Sequence, residues 1–380
     1  MPKAMFYSRR HMVALLLSSS LTLGALGAQA QTDSASQYAD RLYSKMTGLH
    51  PNPETTEQLA REIRNGNYLG AAQIVSDDPN FIVQKVRDWA GYMDDKDSNP
   101  NTENISDIQL LLLGIYKDEK DSRELMYSTY KYAVGPQETY SGDDSLADPE
   151  GFVAKLIPYQ SKLKEPAGVL TTNSFAKQYY SAGTNRRAYK YAFEKFLCTP
   201  ISALRILSPS HDVGKYVRQD VDRVNGGNLN IFREQCSGCH NNMDATAGAF
   251  ALLDSTEDGK IVELDSVAPK YHQNATIFPE GNYTVDNHWV NLGAKLGYYD
   301  ALGFYGALEG EGVNSLGKSL AMSKAFDRCM AQTVYEVLCS KKYKKTDFKT
   351  INDLANQFGQ DNYNLKKLFQ RVMLSPQCGV

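Results

Sequence analysis

One short run, Cys236-Ser237-Gly238-Cys239-His240, carries the most specific chemistry in the chain. Two thiols three positions apart share a face of one helical turn, where both can reach the vinyl-derived carbons on one edge of a haem. The imidazole that follows can then turn onto the iron. The spacing therefore predicts one covalent haem c, with Cys236 and Cys239 as attachment points and His240 as the proximal iron ligand. A zinc half-site would need a second Cys/His pair at matching spacing, and a thioredoxin-like pair would need a surrounding βαβ pattern. Neither context is visible.

The opposite face of the iron decides what it does. The distal candidates are Met322 and His288, both inside the haem-bearing region; His272 and, upstream, His211 are the other histidines considered. Met243 lies on the same turn as His240, so it is expected to pack against the macrocycle, and Asp244 to cap a turn. Two axial protein ligands leave the iron able only to change oxidation state, which is electron transfer. An open distal face would admit peroxide or oxygen, and His288 and Trp289 would then matter to acid/base chemistry. A peroxidase- or oxidase-like haem enzyme is thus the alternative to an electron carrier, and a non-catalytic interaction module of a larger exported complex is the third reading.

The amino terminus bears on where such a group could be attached. Lys3, Arg9 and Arg10 precede an apolar run from Met12 to Leu26, and Ala28-Gln29-Ala30 has the small-x-small form cut by a signal peptidase. This predicts a Sec-type leader cleaved after Ala30 and a periplasmic or secreted protein. Ser8-Arg9-Arg10 faintly resembles a twin-arginine signal, but a haem attached outside the cytoplasm implies export before folding. No membrane span is expected, because none of the apolar runs reaches the required length of about 20 residues. Leu110 to Leu113 is flanked by charges and belongs to a buried helix.

Export makes disulfides available to Cys198, Cys329, Cys339 and Cys378. Cys329 and Cys339 fall in one predicted helix, about 15 Å apart along its axis, and cannot bond to each other without breaking it. Cys198 with Cys329 and Cys339 with Cys378 is the favoured set, because the helix ending at Cys378 returns antiparallel to the one carrying Cys339. The crossed pairing and buried free thiols are the other readings.

Further residues around the haem motif carry a likeness. His240-Asn241-Asn242-Met243-Asp244, then Gly248, Phe250 and Asp254, resembles the H-x-x-M-D, Gly and Asp succession of the planctomycete-type c-type cytochrome modules. Leu320, Ser323, Phe326 and Cys329 resemble that family's C-terminal helical module. Arg186-Arg187 with Leu197-Cys198-Thr199-Pro200, and Ala167-Gly168-Val169-Leu170-Thr171, are similar to the segments leading into its haem module. Arg41-Leu42-Tyr43 with Thr47-Gly48-Leu49-His50-Pro51 is similar to the opening of an associated helical module. The chain departs from the pattern at Ala245, where the family has Pro, and at Cys339, near a usual Gly-Arg. The resemblance implies a periplasmic cytochrome.

The elements that must position these residues read as mainly α: a helical N-terminal region, then a cytochrome c-like helical haem domain with a long irregular or short-strand insertion. Divided along the chain, residues 1–30 are leader, 31–140 an N-terminal helical region, 141–200 a middle helical region, and 201–380 the haem domain with its C-terminal helical module. Asn52-Pro53 opens a helix that Gly66 closes. Phe81, Ile82, Val86, Trp89 and Met93 recur at helical spacing and should face a core. The stretch 94–107 places Asp95, Asp97, Asn99 and Asn101 as in a calcium loop, but Pro100 and Ser106 stand where Gly and Glu are needed, so it reads as solvated loop. Helical pattern then runs over 108–134, 152–163 and 187–197. Short strands or a wrapping loop are predicted for 259–290, and helices for 315–340, 347–358 and 365–374.

Composition sets the outer limits. In 380 residues, 42% are hydrophobic and 22% charged, which fits globular protein and argues against disorder. Lys and Arg number 41 against 44 Asp and Glu, interspersed, so no nucleic-acid footprint is expected. One haem occupies only part of such a body, and residues 31–180 are left as a scaffold for redox partner proteins.

Overall fold

The computed structural model describes residues 34–94, 104–135, 140–180, 185–206, 231–272 and 283–378. The leader with its cleavage site, most of the acidic stretch before Asp107, and His211 lie outside these residues. The described chain is mainly helical, as expected, with four small two-stranded sheets.

After α1 (residues 34–47), Asn52 caps α2 (Pro53–Arg64) by accepting from the Thr55 N–H at 2.8 Å. Pro53 fits the first turn because no N–H is needed there. Gly66, at φ +72°, turns the chain into α3 (Tyr68–Asp77). A continuous helical run, α4 (79–94), holds a π turn at Ile82–Val86 and buries Phe81, Ile82, Val86, Trp89 and Met93, the face expected. β1 (Asn104–Ile105) then leads into α5 (Asp107–Lys117).

The helical reading of 108–134 ends at Lys117. A 3₁₀ turn at Ser122–Met126 follows, and Tyr130–Val134 is a strand, β2. Beyond β3 (Tyr140–Ser141), paired with β1, come α6 (Gly142–Ala147) and α7 (Pro149–Lys155). Leu156–Gln160 forms β4, which pairs antiparallel with β2 and so also truncates the helix read over 152–163. Aromatic and β-branched side chains on β2 suit a pleated, half-buried surface, and a two-stranded sheet leaves Pro158 on an edge where its missing N–H costs no ladder bond.

A 3₁₀ turn at Gly168–Thr171 and α8 (Asn173–Tyr179) precede α9 (Arg186–Phe196), close to the span read from sequence. The π turn Phe232–Cys236 runs into α10 (Ser237–Ala247), the helix of the Cys-x-x-Cys-His run. Of the short strands expected over 259–290, β6 (Ile261–Glu263) and β7 (His288–Val290) form, and each pairs with a strand outside that span, β5 (Leu253–Ser255) and β8 (Glu309–Glu311). Between β7 and β8 lies α11 (Leu292–Lys295).

The helix expected over 315–340 is two helices, α12 (Gly312–Ala321) and α13 (Lys324–Leu338). Ser323 breaks it: its hydroxyl accepts from the Phe326 N–H at 3.1 Å and starts a new helix. α14 (Phe348–Gln360) and α15 (Leu365–Met373) complete the chain.

Buried residues from Ala35 to Cys378 belong to one hydrophobic core, so all three mature stretches distinguished in the sequence contribute to it. Phe369 on α15 meets Phe81, Trp89 and Tyr116 edge-on at 6.0, 5.8 and 5.2 Å between ring centres. The Trp89 indole N–H donates to Thr333 Oγ1 at 3.0 Å. Cys198–Cys329 joins the end of α9 to α13, Cα atoms 5.2 Å apart, and Cys339–Cys378 ties the end of α13 to the turn after α15. This is the favoured pairing of the four. No helix among the described residues is long and apolar enough to cross a membrane.

Candidate functional site

α10 is short and buries polar residues, Asn241, Asn242, Asp244 and Thr246, beside Ala245 and Ala247. Hydrogen bonds, more than apolar packing, therefore fix its position. Asn242 clamps two elements: its Nδ2 donates to the Tyr189 hydroxyl of α9 at 2.7 Å, and its Oδ1 accepts from the Gly293 N–H of α11 at 2.9 Å. Thr246 Oγ1 donates to the Val290 carbonyl of β7 at 3.2 Å, and the Tyr271 hydroxyl donates to the Ala247 carbonyl at 2.9 Å. At the motif itself, the Ile206 N–H donates to the Gly238 carbonyl at 2.8 Å. Ile206, Ala245, Val290 and Leu292 form a small apolar cluster separate from the main core, with Leu296 packed on it.

The three residues expected to attach haem are brought together at the start of this helix, Cys236 at its N-cap and Cys239 and His240 in its first turn. Cys236 and Cys239 are free cysteines, half-buried, and His240 follows with its side chain 24% exposed. The Tyr189 and Tyr299 phenols, bonded to one another, both interact electrostatically with Cys239. Burial pushes both phenols up from their ordinary value, so they stand as neutral hydrogen-bonding groups. The Tyr299 hydroxyl also donates to the Leu204 carbonyl at 2.7 Å, tying this wall to the chain just before Ile206.

Asp244 departs from the turn-capping role expected of it. It lies in the body of α10, fully buried, with one carboxylate oxygen 2.5 Å from Arg186 Nε and the other 3.4 Å from His240 Nδ1. Burial alone would raise its pKa, but the Arg186 and His240 charges prevail and hold it at about 2. The i, i+4 spacing from His240 was legible; the Arg186 partner, from another helix, was not. With Nδ1 turned to a carboxylate, Nε2 is the nitrogen left for a metal. Met243 is partly buried against the main core.

The distal candidates occupy different places. His288 opens β7, a strand packed on α10, and is exposed; by strand alternation it shares a face with Val290, which packs on Ala245. Met322, half-buried, stands at the α12–α13 break with its side chain against Gly306. His272 is engaged elsewhere: its ring stacks on Tyr283 at 4.0 Å and its Nε2 lies 2.8 Å from the Thr284 carbonyl.

The donor set suits a haem better than a bare ion. Among the described residues, no group of three or more His, Cys, Asp or Glu is arranged to hold a metal ion. A haem asks less of the protein on this side, two thiols for its edge and one imidazole for its iron, and those are the groups present at the N-cap and first turn of α10. Comparison of the chain with protein-family models, with curated proteins and with solved structures returned no match.

Proposed function

We propose that this chain is an exported monohaem c-type cytochrome that passes single electrons between redox partner proteins. The observation that carries the reading is the division of the six cysteines. Four pair into two disulfides that brace α9, α13 and the C-terminal turn, while the two of the Cys-x-x-Cys-His run stay free beside an imidazole backed by a carboxylate. Cys236 and Cys239 would hold the haem by thioether bonds and His240 would bind its iron. When bound, the group supplies a one-electron Fe(III)/Fe(II) couple.

The chain's own residues keep that site in place. Asn242 fixes the helix to α9 and α11, Tyr189 and Tyr299 wall it beside Cys239, and the Ile206, Val290 and Leu292 cluster keeps water from its flank. The disulfides suit an oxidising compartment, in line with the leader read over residues 1–30. The likeness of the region from His240 to Asp254 to planctomycete-type cytochrome modules agrees with this function. Residues 31–180, on this reading, present the surface that partners dock on.

The test is maturation in a host with cytochrome c assembly machinery, followed by denaturing electrophoresis with haem staining and by optical and EPR spectra. Wild-type chain should stain, Cys236→Ala/Cys239→Ala should not, and His240→Ala should alter the iron spectrum. Unstained wild-type protein would remove the haem reading. A five-coordinate iron that turned over peroxide would make the chain a haem enzyme instead of a carrier.

A further inference from the structure

We infer that Asp244 is a positioning residue for the axial imidazole and that, balanced by Arg186, it sets the site at low potential and so restricts its donors to strongly reducing ones. This rests on the haem reading above. A carboxylate kept in the interior only to anchor an arginine would offer both oxygens to the guanidinium fork. Here Arg186 Nε takes one oxygen at 2.5 Å, and the second faces His240 Nδ1 at 3.4 Å. The carboxylate thus stands between a fixed cation on α9 and the ring of the metal-binding residue, with its own side chain shut off from solvent.

An imidazole whose Nδ1–H points at an anion is a stronger electron donor through Nε2. Stronger donation favours the higher oxidation state of a bound iron, which lowers the potential. Arg186 draws part of the same negative charge away and limits the effect. The step being tuned is one electron in from a donor and the same electron out to an acceptor, with the Nδ1 proton remaining on the ring.

Two substitutions should move the site in opposite directions. In the haem-loaded full chain, Asp244→Asn keeps the shape and removes the charge, so the reduced form should gain about tenfold, an upward shift of about 59 mV for a one-electron couple. Arg186→Gln leaves the carboxylate unbalanced and should shift the midpoint downward. Asp244→Glu should recover most of the wild-type value. Potentiometric titration reads all three, and NMR of the His240 Nδ1–H should report a changed environment in Asp244→Asn. A general loosening of the site would move both charge-removing variants the same way, and that result, or an unchanged midpoint in the asparagine variant, would overturn the inference while the haem stain stands. If Asp244→Asn does not fold, Arg186→Gln decides the sign. A chain that carries no haem at all fails the earlier reading and takes this one with it.

Discussion

A carboxylate four residues beyond a histidine is, in a bare sequence, one of many helical pairs, and its meaning depends on what the next helix brings. Tyr189 illustrates the same dependence. Its hydroxyl accepts from Asn242 Nδ2 at 2.7 Å and bonds to Tyr299, so Tyr189→Phe would strand a buried amide donor. The variant should lose about 1–3 kcal/mol in chemical denaturation, with the haem attachment proposed for Cys236 and Cys239 retained. The Cys236, Cys239 and His240 run is legible as a motif because the chemistry proposed for it needs only adjacency along the chain. Tyr189, Tyr299 and Arg186 were not, because they reach the site through the packing of α9 and of the segment after α11 on α10, which no local spacing encodes.

At the level of elements, errors in the sequence reading have a common source. The segments of β2 and β4 read as helix because their mixed apolar residues lack the strict alternation that marks a half-buried strand, and their pairing joins residues far apart in the chain. The apolar helical spacing runs on across Ser323, so 315–340 reads as one helix although serine is a favoured N-cap, and only the hydrogen bond to the Phe326 N–H shows where the second helix starts. Gly317 on α12 shows what such packing demands. A Cβ there would collide with the Met126 carbonyl of the neighbouring 3₁₀ turn, so the helix sits on that turn only because the position is glycine. Gly317→Ala should cost about 1–3 kcal/mol through forced separation of the two elements, read as a lower denaturation midpoint with an unchanged slope.

One main core draws on every stretch of the described chain, and buried or half-buried tyrosines in and around it respond together to alkali. Burial first, and then hydrogen bonds to Asp118 and Glu124, push the Tyr132 and Tyr130 hydroxyls up; Tyr43 is raised in the same way by burial and by Asp78. Each folded phenol thus keeps its proton at a pH where the unfolded one, near pKa 10, has lost it. Their contribution is complete below about pH 10 and disappears as pH climbs through the higher folded values. Denaturation midpoints should therefore fall progressively as pH rises above about 10, where free tyrosine ionises, and Tyr130→Phe/Tyr132→Phe should flatten that slope. An identical slope in the double variant would locate the alkaline sensitivity elsewhere.

The cystine between Cys198 and Cys329 closes across a separation of 131 residues, and the two motif thiols lie inside that interval. During synthesis Cys198 therefore meets Cys236 and Cys239 well before its proper mate exists. An oxidase acting on whichever sulfur came first would couple the wrong ones and spoil both the brace and the proposed prosthetic-group anchor. On the proposed haem reading, biogenesis of this chain would be a contest of timing: either a reductant shields the pair at 236 and 239, or porphyrin ligation seals them, before Cys329 arrives.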